Sequence, residues 1–166
     1  YARAQIAFQQ WRESHDLFTE LDKRVPNYAP AQYALGWLDV KLNRPAEARK
    51  HLEASLAIAP ENADAQYELG QLDLEDENLA AAETRLQAVL DRNPRHARAL
   101  VGYGDLAMRR GNLPDAKSRY EAAIEAEPKT GSAHYKLSTV LMRLGEKERA
   151  EKERALGASL NAEAVK

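Results

Sequence analysis

The chain has no cysteine, so disulfides, thiolate metal sites and a cysteine nucleophile are all excluded. Phenylalanine occurs twice and methionine twice in 166 residues, although 44% of the residues are hydrophobic. Alanine and leucine carry most of that share, which suits helices packed closely by small side chains. No apolar run approaches the ~18–20 residues needed to span a bilayer, so no membrane insertion is expected. Positive charge is not in excess either. The net charge of −2 gives no electrostatic footprint for phosphates, so nucleic acid is not an expected partner. A phosphate-cradling glycine loop and a serine-nucleophile motif are missing. His15, His51, His96 and His134 fall at unrelated spacings rather than in a metal-binding HExxH pattern. No catalytic residue, metal or cofactor is therefore expected, and the chain does not read as an enzyme.

Charge itself is plentiful, at 30% of residues, and unevenly spread. Residues 1–83 carry 8 basic and 15 acidic side chains, and residues 84–166 carry 16 and 11. The front is acidic and the back basic. The sequence opens at Tyr1 in what reads as the middle of a helix, so a piece of something longer is expected.

The phrase YALGWLDV, residues 33–40, returns 34 residues later as YELGQLDL, residues 67–74. Proline marks the same period at Pro26, Pro60, Pro94 and Pro128, each closing a helical stretch that it cannot continue. Gly36, Gly70, Gly104 and Ser138 form one column, and Ala48, Ala82, Ala116 and Ala150 another. Four aligned columns over the chain mean a repeat protein.

Each period divides into two helices. In the second period, Ala63–Asp76 carries Ala65, Leu69 and Leu72 at helical spacing, with Asn62 placed to cap its start. Leu79–Arg92 then places Leu79, Ala82, Leu86, Val89 and Leu90 on one stripe. The turn between the halves falls at Asn43, Gly111 and Gly145, which tolerate a left-handed backbone, and at Glu77, which suits it poorly. Gly36 and Ala48 allow the two helices to approach closely, with Leu35, Leu38, Leu52 and Leu56 around them. One pair cannot bury its own apolar faces, so pairs must stack.

Leu35-Gly36…Ala48-x-x-x-Leu52…Pro60 resembles the tetratricopeptide repeat, a 34-residue helix–turn–helix family. Leu69-Gly70…Ala82-x-x-x-Leu86…Pro94 and Tyr103-Gly104…Ala116-x-x-x-Tyr120…Pro128 are similar in register. The fourth position departs from the family's aromatic at Gln32, Gln66, Leu100 and His134. The eleventh departs from its tyrosine at Asp39, Asp73, Ala107 and Leu141. The resemblance implies an all-α, right-handed superhelical solenoid of antiparallel helix pairs spanning 1–166 as a single domain. Within it 1–28 is a partial repeat, 29–62, 63–96 and 97–130 are full repeats, and 131–166 is a degenerate one. In 1–28 the tail of a first helix is expected, then a second from about Arg12 to Arg24 with Trp11, Leu17, Phe18 and Leu21 inward. The last copy loses an inward residue at Arg154, and its twice-written EKERA reads as a charged end helix that shields the stack.

In the family, one face of each first helix lines a concave groove that grips an extended peptide. Carried over by position, that groove holds Tyr33, Trp37, Lys41, Tyr67, Glu68, Gln71 and Glu75. It continues through Arg98, Val101, Asp105, Arg109, Tyr135, Lys136, Thr139 and Arg143. The resemblance implies a protein-interaction scaffold whose partner sets an apolar or aromatic part against Tyr33, Trp37 and Tyr67. An acidic part of that partner would lie along Arg98, Arg109, Lys136 and Arg143. Family members that clamp a chaperone's terminal carboxylate use Lys and Asn where this chain has Tyr33, Trp37, Glu68 and Gln71, so that specialisation is not expected. The alternative is an architectural spacer or assembly subunit, a homo-oligomer joined through its acidic and basic halves. Asp39 and Asp73 occupy equivalent places in successive copies and are expected to stitch one repeat to the next through a hydrogen bond or ion pair.

Overall fold

A computed structural model describes residues 2–163, with side chains from Gln5 onward. Every regular element among the described residues is an α-helix. The chain divides into two compact units, the first ending at Asp76 and the second beginning at Glu77.

The first unit contains α1 (Ala2–Arg24), α2 (Ala29–Lys41), α3 (Pro45–Ile58) and α4 (Ala63–Glu75). Each helix packs on the next. Ala48, Leu52, Ala65, Leu69 and Leu72 form a core, with Tyr33, Val40 and Leu56 packed against it. Gly36 is needed for the crossing of α2 and α3, because a Cβ there would stand 2.6 Å from Leu52 Cγ. Pro45 sits in the first turn of α3, where its missing N–H leaves no bond unmade. Asn62 caps α4 as its sequence position implies, its side-chain oxygen accepting from the Ala65 N–H at 3.1 Å.

α1 corrects the expectation of two helices before residue 25. It is one continuous helix of 23 residues. The turn column that holds Asn43, Glu77, Gly111 and Gly145 falls here on Gln9, and neither it nor Gln10 favours a left-handed backbone. Trp11, Phe18 and Leu21 are half-buried, but Leu17 is 73% exposed and faces outward, off that stripe.

The second unit contains α5 (Leu79–Arg92), α6 (Ala97–Arg109), α7 (Leu113–Ala126), α8 (Gly131–Arg143) and α9 (Lys147–Glu163). Its core joins Ala107, Ala116, Tyr120, Leu137, Val140, Leu141 and Ala150, so α6, α7, α8 and α9 all contribute. A Cβ on Gly104 would collide with the Tyr120 ring, the close approach that this column provides. His96 caps α6, its Nδ1 accepting from the Ala99 N–H at 3.1 Å.

The turns inside the pairs share one construction. Arg44, Asn112 and Glu146 each donate a backbone N–H to the carbonyl five residues back, at 2.9 Å every time. The residue before each is left-handed, with φ 57° at Asn43, 74° at Gly111 and 85° at Gly145. Glu77 takes the same conformation, φ 57°, despite being an unfavourable residue for it.

Candidate partner-binding faces

In the first unit, Tyr33, Trp37 and Lys41 share one side of α2, four residues apart. The Lys41 ammonium lies over the Trp37 ring, 5.0 Å from its centre, which joins the two into one amphipathic patch. Trp37 is half-buried and Lys41 exposed. Tyr33 leans instead against the Leu52–Leu69 core, so part of its surface is committed to packing. On α4, Tyr67 and Gln71 are half-buried, and Glu75 is exposed. Glu68 is only 7% exposed and offers little to a partner, and the Gln71 amide nitrogen is buried without a hydrogen-bond acceptor.

In the second unit, two of the expected basic residues are already engaged. Lys136 Nζ reaches both oxygens of Asp105, at 2.6 and 2.7 Å, and Tyr120 donates its hydroxyl to Asp105 at 2.7 Å. Burial, with Asp105 nearby, pushes the Tyr120 phenol far above its ordinary value, so it stays protonated as the donor. Arg109 is paired with Glu77. Arg98, Thr139 and Arg143 are exposed, Val101 is packed on the core, and Tyr135 is 37% exposed. Arg143 has no acidic partner among the described residues.

Asp39 and Asp73 form contacts between repeats. Arg49 on α3 donates to Asp73 at 2.7 Å and to Asp76 at 2.8 Å. Burial alone would lower the Arg49 guanidinium, but its bonds to the two aspartates outweigh that and hold it above its ordinary value. His15 stands 34 residues before Arg49, and its Nε2 lies 3.1 Å from Asp39. The same second-helix column continues in the second unit with Glu83, which accepts from Arg110 at 2.7 Å, and Lys117, which donates to Glu146 at 2.7 Å. Each member of this column therefore ties its helix to the next pair, with the charges exchanged at Glu83. The two aspartates were legible in the sequence as equivalent positions, whereas this column, His15, Arg49, Glu83 and Lys117, is marked there only by its 34-residue offset.

Asp39 is 1% exposed, and neither of its oxygens accepts an aligned hydrogen bond. His15 at 3.1 Å and His51 and Arg44 at 3.8 Å surround it with cationic or potentially cationic groups. His51 is held below its ordinary value, chiefly by burial, against the opposing pull of Asp39. His134 is 3% exposed, with Nδ1 2.7 Å from Glu153 and Nε2 2.9 Å from the Pro128 carbonyl. Both neighbours are hydrogen-bond acceptors. Among the described residues no three acidic or histidine side chains converge as metal ligands, and no helix is long and apolar enough to cross a membrane.

Family models described as tetratricopeptide repeat match residues 5–72, 67–116 and 104–159. No curated protein matches the sequence. Among solved structures, MamA 41-end from Desulfovibrio magneticus RS-1 is similar at 19% identity and TM-score 0.75, over 98% of this chain and 93% of that one. A thermophilic TPR protein of Thermus thermophilus is similar at 18% identity and TM-score 0.78, over 94% and 86%. The APC/C hetero-tetramer Cut9-Hcn1 gives 15% identity and TM-score 0.86, over 93% of this chain and 31% of that one. At these identities the likeness is one of fold. With repeat models covering most of its length and helix pairs built as described, this chain belongs to the tetratricopeptide repeat family.

Proposed function

We propose that the chain is a non-catalytic scaffold that holds a peptide or partner segment against the exposed faces of its first helices. The observation that carries this reading is the Trp37–Lys41 stack on α2. Trp37 occupies a column that reads Gln71, Asp105 and Thr139 in the later copies, so stacking of the repeats does not demand tryptophan there. A half-buried tryptophan under a cation is the kind of rigid, amphipathic residue that anchors interfaces. Membership of a family whose members act as protein-interaction scaffolds supports the same reading. So does the assembly named for Cut9 and Hcn1, a partner-bearing role of the kind inferred for this chain.

The partner sets an apolar or aromatic part against Trp37 and Tyr67. An acidic part meets Arg143 in the second unit, while at Arg109 and Lys136 it would have to displace Glu77 and Asp105. Affinity capture from the source cell's extract, with the wild-type chain and Trp37→Ala, tests this. The reading expects a protein retained by the wild type and lost from the variant, with the two melting alike. Equal capture by both would move binding off this face.

The uneven charge favours a second reading, an assembly subunit that associates through its acidic and basic halves. Contacts of that kind weaken as salt screens them. Sedimentation at low and high ionic strength decides it, and a chain that is monomeric at low salt would dismiss it.

A further inference from the structure

At Glu77 the backbone and the side chain disagree. Its left-handed conformation, φ 57°, falls in the column that Asn43, Gly111 and Gly145 otherwise hold. Glycine adopts that backbone freely and asparagine at small cost, whereas glutamate does so under strain. A residue kept against its backbone preference points to its side chain as the reason. That side chain is 67% exposed, and its carboxylate pairs with Arg109 in the last turn of α6.

The next copy shows the same place without a carboxylate. Gly111 makes the turn, and Arg143, 34 residues after Arg109, has no acidic partner among the described residues. Neither the turn nor an arginine at this position therefore requires Glu77.

The other engaged cation of this unit is held differently. Asp105 meets Lys136 through both oxygens and also accepts from the buried Tyr120 hydroxyl, so three bonds and the packing around Tyr120 fix it in place. Glu77 faces solvent and meets Arg109 alone. An exposed pair of this kind is weak and is screened by salt. Lys136 is committed to the fold, and Arg109 can be released.

We propose that Arg109 is a seat for a carboxylate of an acidic partner segment, and that Glu77 is a built-in competitor that occupies the seat until the partner displaces it. The proposal rests on the reading of the chain as a binding scaffold and deepens it with a ligand chemistry and a threshold. Because Glu77 is tethered beside Arg109, its effective concentration is on the order of millimolar. A lone carboxylate loses to it, and a segment carrying several acids prevails, so the competitor selects for acid-rich partners.

Fluorescence anisotropy of the whole chain with a labelled hexaglutamate peptide, at low ionic strength, tests this. Glu77→Gly removes the carboxylate and installs the residue that later copies use, so the variant should melt no lower than the wild type. It should bind the peptide roughly fivefold more tightly, the weight of about one exposed ion pair. Arg109→Gln in that background should remove the gain. Glu127→Gln makes the same change of charge at another exposed position of the second unit and should bind as the wild type does. Equal affinity of wild type and Glu77→Gly, a gain that survives Arg109→Gln, an equal gain in Glu127→Gln, or no binding by any variant would overturn the proposal. A lower melting temperature for Glu77→Gly without tighter binding would also overturn it, by making the pair a structural tie. The capture experiment varies Trp37 in the first unit, so either reading can fail while the other holds.

Discussion

Asp39 illustrates at the scale of one residue how a repeat position acquires a chemistry of its own. Its counterpart Asp73 has a permanently charged arginine, whereas Asp39 is surrounded by His15, His51 and Arg44. His51 titrates below its ordinary value near 6.5 in the folded chain, because burial outweighs the attraction of Asp39. A base depressed on folding contributes its stability fully above that ordinary value. The contribution is lost as the pH falls through the folded value, because the unfolded chain binds the proton first. Melting followed by circular dichroism should therefore show lower stability at about pH 5 than at about pH 7.5, with His51→Gln flattening part of that slope. An unchanged slope in the variant would remove His51 from the account. At the other end of the chain, His134→Ala should cost about 1–3 kcal/mol in urea unfolding, since Glu153 and the Pro128 carbonyl lose a buried partner. Neither histidine network was legible in the sequence. Single residues at unrelated spacings signal nothing until the fold brings partners such as Gln32 for His51 and Glu153 for His134, each 19 residues away, into reach.

Elements were far more legible, for physical reasons that particular residues make plain. The prolines and the turn residues are set by backbone geometry and the Gly36–Gly104 column by the close approach of paired helices, and α2 to α8 follow them closely. α1 broke the pattern because no residue near Gln9 asks for a turn, and in that absence the helix continues. Two glycines separate the causes. Gly111→Ala meets no atom within 4 Å but forces alanine to φ 74°, so it should cost about 1 kcal/mol from the backbone alone. Gly104→Ala keeps a helical backbone and collides with Tyr120, which should cost about 1–3 kcal/mol by overpacking. Equal losses at the two sites would contradict this division. The ion-pair column makes a separate prediction between elements. A double-mutant cycle of Arg49→Gln and Asp73→Asn should give a coupling of about 0.5–3 kcal/mol that survives salt better than an exposed pair.

For the whole molecule, the two kinds of column carry two kinds of information. Leu35, Leu69 and Leu137, and the alanines at 48, 82, 116 and 150, recur because stacked pairs need them. Trp37, Gln71, Asp105 and Thr139 differ because packing leaves that position available for other uses. The sequence alone distinguished these columns, but it could not show that Lys136 and Arg109 would be engaged by Asp105 and Glu77. Those contacts join residues about one period apart, and their geometry depends on how successive helices are offset. The uneven charge of the chain is likewise read from composition, and Asp39 and Asp73 are legible as stitches, while their partners His15 and Arg49 are seen only in the structure.

The central claim is that Trp37 and its neighbours meet a partner. Hydroxyl-radical footprinting of the chain, free and in complex with the captured protein, tests it most directly, because tryptophan and tyrosine side chains report their own exposure. Protection of Trp37 and Tyr67 on complex formation, with Leu17 on α1 unchanged, is the predicted result. Unchanged labelling of Trp37 alongside protection elsewhere would contradict it.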